Sequence, residues 1–230
     1  MKGNKNIVKA TLTAIAFLIT FFPIAAKNNI VNADEDCNRR EIFLTFDDGP
    51  SLVTVKALNV LKDHGVKATF FVCGKNVKDW PEVTMRIIRE GHTIGVHSNT
   101  HNYKQIYASP QALEDDIKAC ICEIKAISSS FTPYVYRFPG GSFGLPDELK
   151  NVPKSLKLKA VDWNASCRDC ELTAPSADDL VFCAKQTSAQ KNSVILLMHD
   201  APTKSATASA LPEIIKHFKD KGFVFKTFQP

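Results

Sequence analysis

Ile42-Phe43-Leu44-Thr45-Phe46 runs directly into Asp47-Asp48-Gly49-Pro50, so a short apolar stretch ends on two adjacent carboxylates and a turn signal. The β-branched and aromatic run predicts a buried strand, and Gly49-Pro50 predicts the turn that stops it. Side chains alternate along a strand, so Asp47 and Asp48 point to opposite sides unless the backbone bends there. Two neighbouring carboxylates at a strand end can take separate tasks, one holding a metal and one moving protons. Alone, the four residues 47–50 read as a solvated turn, and the rest of the chain decides between the two readings.

From residue 40 onward, short apolar strands alternate with helical segments. Leu52 to His64 carries apolar residues at 52, 55, 58 and 61, a helical stripe closed by Gly65. Ala68 to Val72 predicts a strand, Pro81 to Glu90 a helix started by proline and ended by Gly91, and Thr93 to Val96 a strand. Ser109-Pro110 caps an amphipathic helix running through about Ile127. Strands follow over Tyr134 to Arg137, Leu156 to Asp162, Val194 to Met198 and Phe223 to Phe225, with helices over Pro146 to Asn151, Ser176 to Lys191 and Leu211 to Lys221. This alternation predicts an α/β fold with a parallel sheet of about seven strands, closed or nearly closed into a distorted (β/α) barrel. No repeat or linker divides it.

On that frame the polar outliers converge. Asp47 and Asp48 end the first strand, His97 the third, Arg137 the fourth, Asp162 the fifth and His199 the sixth. In barrel enzymes the C-terminal strand ends form the face that carries the active site. His97 and His101 stand four apart; on a helical turn that spacing brings both rings to one side, as a divalent metal needs. With a carboxylate from another strand end, the set becomes His-His-Asp with positions left for water and substrate, the logic of a catalytic metal site.

The 230 residues suit one domain with a sizeable core, and 44% apolar content is ordinary for a globular chain. The formal charge of +5 falls to +1 once the four lysines before Asp34 are set aside, since no acid precedes that residue. Nothing in this balance suggests nucleic acid, which calls for a clustered basic face. Residues 1–33 read as an export signal: Lys2, Lys5 and Lys9, an apolar run from Ala10 to Phe22, then a small-residue cleavage site at Ile24-Ala25-Ala26 or Val31-Asn32-Ala33. The competing reading is an uncleaved membrane anchor, but the run is shorter than the roughly 20 residues that span a bilayer. The expected product is a secreted or surface-located domain over residues 34–230.

Seven cysteines at 37, 73, 120, 122, 167, 170 and 183 leave at least one free or paired between molecules. Cys73 and Cys122 sit in apolar segments and read as core residues. Cys167-Arg168-Asp169-Cys170 has redox-motif spacing without the helix start that activates such thiols, so a structural disulfide or two unpaired thiols is the better reading. Zinc would need a second pair, and Cys120-Ile121-Cys122 is too tight to supply it.

Taken together, Thr45 to Pro50, His97 to His101, Arg137-Phe138-Pro139-Gly140, Asp162-Trp163 and Leu197-Met198-His199 resemble, in order, the motifs of the NodB-homology polysaccharide deacetylases, carbohydrate esterase family 4. The likeness runs from about Glu41 to Phe228. Ala68 to Val72 and Glu90 to Gly95 also match the family's wording, which implies a structural role for His92. The resemblance implies a divalent metal on Asp48, His97 and His101, zinc first, with Co2+, Ni2+ or Mn2+ as alternatives. It implies Asp47 as the base toward the attacking water, Arg137 as the partner keeping Asp47 ionised, and His199 as the acid toward the leaving amine. Asp162 would hold His199 protonated, and the N–H of Gly141 would help to stabilise the oxyanion. Trp163 and Leu197 or Met198 would wall the acetyl methyl.

Two departures stand out. The family often has an aromatic residue two positions beyond the proline of its third motif, where this chain has Gly141. Lys159 replaces an acid three residues before Asp162, leaving His199 supported by Asp162 alone. Peptidoglycan amino sugars come first as substrate, because an exported bacterial enzyme meets them first; chitin oligosaccharides and acetylxylan follow. The expected partner is a polysaccharide, with no protein partner and a monomeric state. A catalytically idle carbohydrate-binding barrel would predict a missing base, acid or ligand, and none is missing. A secreted redox protein built on Cys167 and Cys170 would leave the carboxylate and histidine constellation unexplained.

Overall fold

The structure, a computed structural model, describes residues 39–230. The export-signal reading of residues 1–33 and the residue Cys37 lie outside the described residues. The chain opens with β1 (Glu41–Asp47), α1 (Leu52–Asp63), β2 (Thr69–Cys73), α2 (Gly74–Asp79), α3 (Pro81–Arg89) and β3 (Thr93–Ser98). Next come α4 (Tyr103–Ile106), α5 (Pro110–Ile127), β4 (Val135–Tyr136), α6 (Asp147–Lys150), α7 (Val152–Ser155) and β5 (Lys159–Ala160). The series ends with β6 (Ala165–Ser166), α8 (Ala177–Thr187), β7 (Ser193–His199), α9 (Ser205–Asp220) and β8 (Val224–Lys226).

Every strand pairing is parallel, and the path runs β5-β4-β3-β2-β1-β7-β6, with β8 attached beside the start of β1. Among the described residues β5 and β6 do not pair, so the sheet curls without closing. This is the distorted barrel of about seven parallel strands that the alternation predicts.

Two apolar layers explain why the central strands are buried on both faces. Ile42, Leu44 and Phe46 of β1, with Val194, Leu196 and Met198 of β7, pack outward into the large core beneath the helices, together with Leu58, Leu61, Ile214 and Phe218. The opposite face holds a smaller cluster of Phe71, Val135, Val161 and Phe228, flanked by Phe43 and Ile195. Period-two alternation therefore carries Thr45, Asp47, Leu197 and His199 to the inner face, and the β1–β7 register sets Thr45 beside Leu197 and Asp47 beside His199.

Three elements depart from expectation. Helix α9 begins at Ser205, six residues before Leu211, and carries Pro212 inside it; proline is usual in a first turn, which is why it reads as a start, yet packing of Ala208, Leu211, Ile215 and Phe218 sustains the helix across it. The strand expected over 156–162 shrinks to β5 because Lys157 adopts φ 60° in the turn that ends α7. The two-residue β6 carries no sequence period at all.

Candidate active site

Asp47 ends β1 almost fully buried, and its partner is Arg137, which follows β4 with no exposed surface. Arg137 donates through one nitrogen to Asp47 Oδ1 at 2.9 Å and to Thr45 Oγ1 at 2.8 Å, and its other donors reach the carbonyls of Val161 at 3.1 Å and Asp162 at 3.2 Å. The guanidinium lies 4.2 Å from the Phe71 ring centre. A fully buried cation is tolerable only when paired and hydrogen-bonded in this way. Burial pulls the Arg137 pKa down while Asp47 pulls it back up.

Asp48 diverges from Asp47 because its φ is 75°, a left-handed bend that costs about 1–2 kcal/mol for a residue other than glycine. Asn76 Nδ2 clamps its carbonyl at 2.6 Å. Behind the turn, a Cβ on Gly49 would collide with the Asp200 carboxylate, so only glycine fits. Asp48 Oδ1 lies 3.3 Å from His97 Nε2 and 3.1 Å from His101 Nε2.

The two histidines do not share a helix. His97 lies in β3, and His101 lies at φ 57° in the turn after it, so the four-residue spacing works through a strand followed by a left-handed turn. Asp116 of α5 builds that turn: Oδ2 accepts from Ser98 Oγ at 2.6 Å and the Asn99 N–H at 2.9 Å, and Oδ1 accepts from the Thr100 N–H and Oγ1 at 3.0 Å each. Ser98 Oγ in turn accepts from the His101 N–H at 2.8 Å.

The donor set fits a divalent cation. His97 Nδ1 lies 2.8 Å from the Arg137 carbonyl, which can only accept, so in the neutral ring Nε2 carries the lone pair. Asp48 Oδ1 is buried and receives no well-directed hydrogen bond. Electron-rich atoms therefore face one another, an arrangement that a cation relieves. Burial alone would raise the Asp48 pKa, but contact with His101 and His97 holds its carboxyl well below the usual range, so Asp48 stands as a carboxylate. Burial lowers the pKa of His97, and the charges of Asp47 and Asp48 outweigh it. A cleft of about 320 Å³, lined by Asp48, His101, Asn76 and Pro202, opens beside these donors.

His199 ends β7, opposite Asp47 in the sheet register. Its carboxylate partner is Asp169 and not Asp162. Asp169 Oδ1 lies 2.7 Å from Nδ1, while Oδ2 accepts from the His199 N–H at 2.8 Å and Thr207 Oγ1 at 2.7 Å. Burial would lower the His199 pKa, yet the Asp169 hydrogen bond, the neighbouring Cys170 and the negative charges raise it to about 11. Asp162 instead accepts from the Ser142 N–H at 2.9 Å and from Ser142 Oγ, so it braces the loop after Pro139. Its carbonyl also receives Arg137. The expectation failed because Asp162 is committed to that loop, and the 167–170 turn, with Arg168 at φ 62°, brings Asp169 to the ring. No periodicity marks Asp169, Thr207 or Asp116.

The loop after Arg137 changes a second expectation. The Gly141 N–H donates to the Phe138 carbonyl at 2.8 Å and is thereby committed to a turn, whereas the Gly140 N–H donates to no described residue. A Cβ on Gly141 would lie 2.7 Å from Phe143 and 3.0 Å from Trp163, whose rings meet edge to face with centres 5.6 Å apart. Trp163 stands 5.7 Å from the Arg137 guanidinium, and Phe143 is 66% exposed, so an aromatic pair rims the site. Leu197 lies on the inner face with Thr45, whereas Met198 belongs to the outer core. Cys73, Cys120, Cys122, Cys167, Cys170 and Cys183 are all free. His92 Nδ1 accepts from the Ala68 N–H, and burial and Lys67 bring its pKa to about 4, which suits a neutral structural histidine.

Residues 34–161 match the family model for polysaccharide deacetylase. This chain belongs to the polysaccharide deacetylase family. It is 35% identical over 196 residues to a peptidoglycan-N-acetylglucosamine deacetylase of Bacillus cereus, an alignment covering 83% of this chain and 70% of that one. A chitooligosaccharide deacetylase of Sinorhizobium fredii is 31% identical over 199 residues, covering 81% and 89%. Among solved structures, the catalytic domain of a peptidoglycan N-acetylglucosamine deacetylase from Eubacterium rectale superposes with a TM-score of 0.76 at 32% identity, covering 83% of this chain and 89% of that one. The deacetylase is thus an enzyme of a hydrolase family.

Proposed function

We propose that this deacetylase is exported and hydrolyses the N-acetyl group of a peptidoglycan amino sugar, using a divalent metal, zinc first, held by Asp48, His97 and His101. The observation that carries the reading is the meeting of the buried Asp48 Oδ1 with two imidazole Nε2 atoms at 3.1 and 3.3 Å, beside Asp47 in its 2.9 Å pair with Arg137. Asp48, His97 and His101 would hold the metal, which when bound there would supply Lewis acidity toward a water at neutral pH.

Asp47 accepts the proton of the attacking water, and the bond from Arg137 aims that carboxylate. As the water oxygen bonds to the carbonyl carbon, the Gly140 N–H is the free backbone donor that meets the developing oxyanion. His199, held protonated by Asp169, gives its proton to the sugar nitrogen while the C–N bond breaks and the electron pair moves to that nitrogen. The products are acetate and a free amine. Leu197 and Trp163 flank the acetyl methyl and exclude water.

Support for peptidoglycan comes from the names of the Bacillus cereus and Eubacterium rectale relatives and from the signal-like pattern of residues 1–33. The Sinorhizobium fredii relative favours a second reading, chitin oligosaccharides. Acetate release from purified peptidoglycan and from chitin oligosaccharides of matched N-acetylglucosamine content separates them. Faster release from peptidoglycan is expected; release from the oligosaccharides alone overturns the first choice.

A further inference from the structure

Outside the Asp48 site, one cluster among the described residues gathers three different metal-binding groups. A carboxylate oxygen of Asp169, the Cys170 sulfur and a ring nitrogen of His199 all lie within 4.8 Å of one another. Donors around a tetrahedral zinc stand roughly 3.4 Å apart at the usual bond lengths, so an ion that takes the place of the proton between Asp169 Oδ1 and His199 Nδ1 opens that 2.7 Å pair slightly and draws in the Cys170 sulfur. Thiolate, imidazole and carboxylate together suit zinc better than a hard cation such as magnesium or calcium.

The surroundings are ordered for this purpose. Thr207 Oγ1 and the His199 N–H both bond Asp169 Oδ2, Oδ1 faces the His199 ring with only the Nδ1 contact at 2.7 Å, and Lys204 Nζ holds the Asp169 carbonyl at 2.7 Å. Such outer bonds fix the direction of a ligand before the ion arrives. Cys170 is exposed and unpaired, giving the ion an entry path, while Asp169 is 97% buried.

We propose that Asp169, Cys170 and His199 form a second, inhibitory zinc site. An ion here displaces the Cys170 thiol proton and the ring proton it replaces. It ties up the side chain assigned above as the acid, so excess zinc switches off an enzyme that needs the metal at its first site. The inhibitory consequence rests on the acid role of His199; the metal site itself does not.

The test is a cobalt(II) titration of the metal-free full chain, reading thiolate-to-cobalt charge-transfer absorption and acetate release together. The first equivalent is expected to restore release without thiolate absorption. The second is expected to add that absorption and cut release by at least about 100-fold, the scale of a lost general acid. Cys170→Ser should bind the first equivalent only and show no fall at excess metal. In Asp48→Ala, which lacks the first site, the thiolate band should come with the first equivalent. A second equivalent without thiolate absorption, or inhibition of Cys170→Ser equal to that of the wild type, would overturn the proposal. Thiolate absorption with no acetate release at any loading would count against the deacetylase reading while upholding the second site.

Discussion

Asparagine at position 169 keeps the shape of the carboxylate and removes its charge, which makes Asp169→Asn a test of what holds the proton on His199. The carboxylate accepts three bonds, from Nδ1 at Oδ1 and from the His199 N–H and Thr207 at Oδ2. An amide accepts at only one of those two positions. With its oxygen in place of Oδ2, its NH2 faces Nδ1 and favours a lone pair there, against the protonated ring. The His199 pKa then falls from about 11 toward its ordinary 6.5, because burial already opposes the charge and its counterweight is gone. The span between those values corresponds to roughly 6 kcal/mol at 1.36 kcal/mol per unit. Breaking one side of a buried pair costs about 3–5 kcal/mol, and the 13% exposure of the His199 side chain favours that lower range. A ring with a pKa near 6.5 is only about 3% protonated at pH 8, so kcat should drop roughly 30-fold there and recover toward pH 6. The assay is acetate release from pH 5.5 to 10 for the wild type, Asp169→Asn and Asp162→Asn. The Asp162 variant should keep the wild-type alkaline limb, because Asp162 serves Ser142. An alkaline limb unmoved in Asp169→Asn, or moved in Asp162→Asn, would refute the reasoning.

The same pair leaves a pH signature on stability. The folded pKa of His199 is raised, so its contribution is full below about pH 6.5 and fades as pH rises toward 11; that of Asp169 is lowered, so its contribution is present above about 3.8 and fades on acidification below that. Urea unfolding of Asp169→Ala against the wild type should therefore show a loss of about 3–5 kcal/mol at pH 6 and a smaller one at pH 10; an equal loss at both would contradict the pairing. Asp116→Ala unties the 98–101 turn, and zinc affinity measured by competition with a chelating dye should weaken by about 10–100-fold, as for other residues that orient ligands. Phe143→Ala removes an exposed ring at the rim, so KM for an oligosaccharide should rise several-fold, about 0.5–1.5 kcal/mol, with kcat nearly constant; a lost kcat with unchanged KM would assign Phe143 to the chemistry instead.

The long strands were legible because burial on both faces turns β1, β2, β3 and β7 into continuous apolar runs, and the residues that end β1, β3 and β7 stand out as polar breaks. Asp47, Asp48, His97 and His199 could be found that way, and Arg137 by its position after a strand. The two-residue strands β5 and β6 carry no period, so the sequence offers no sign of where the barrel opens. Asp169 and Asp116 were hidden for a different reason. Each acts through hydrogen bonds to residues 30 and 16–18 positions away in the chain, and only the folded chain brings such partners together. The aromatic pair of Phe143 and Trp163 depends on Gly141, whose φ of 84° places both rings across one backbone turn. Sequence marks the glycine and says nothing of the rings above it.

The claim at the centre is that Asp48, His97 and His101 hold a metal required for amide hydrolysis. Acetate release from peptidoglycan by the full chain, measured before chelation, after chelation and after one equivalent of zinc is returned, tests it most directly. Release should be lost on chelation and recover with zinc in the wild type, with no recovery in Asp48→Ala. Undiminished release from metal-free protein, or recovery in Asp48→Ala equal to that of the wild type, would contradict it.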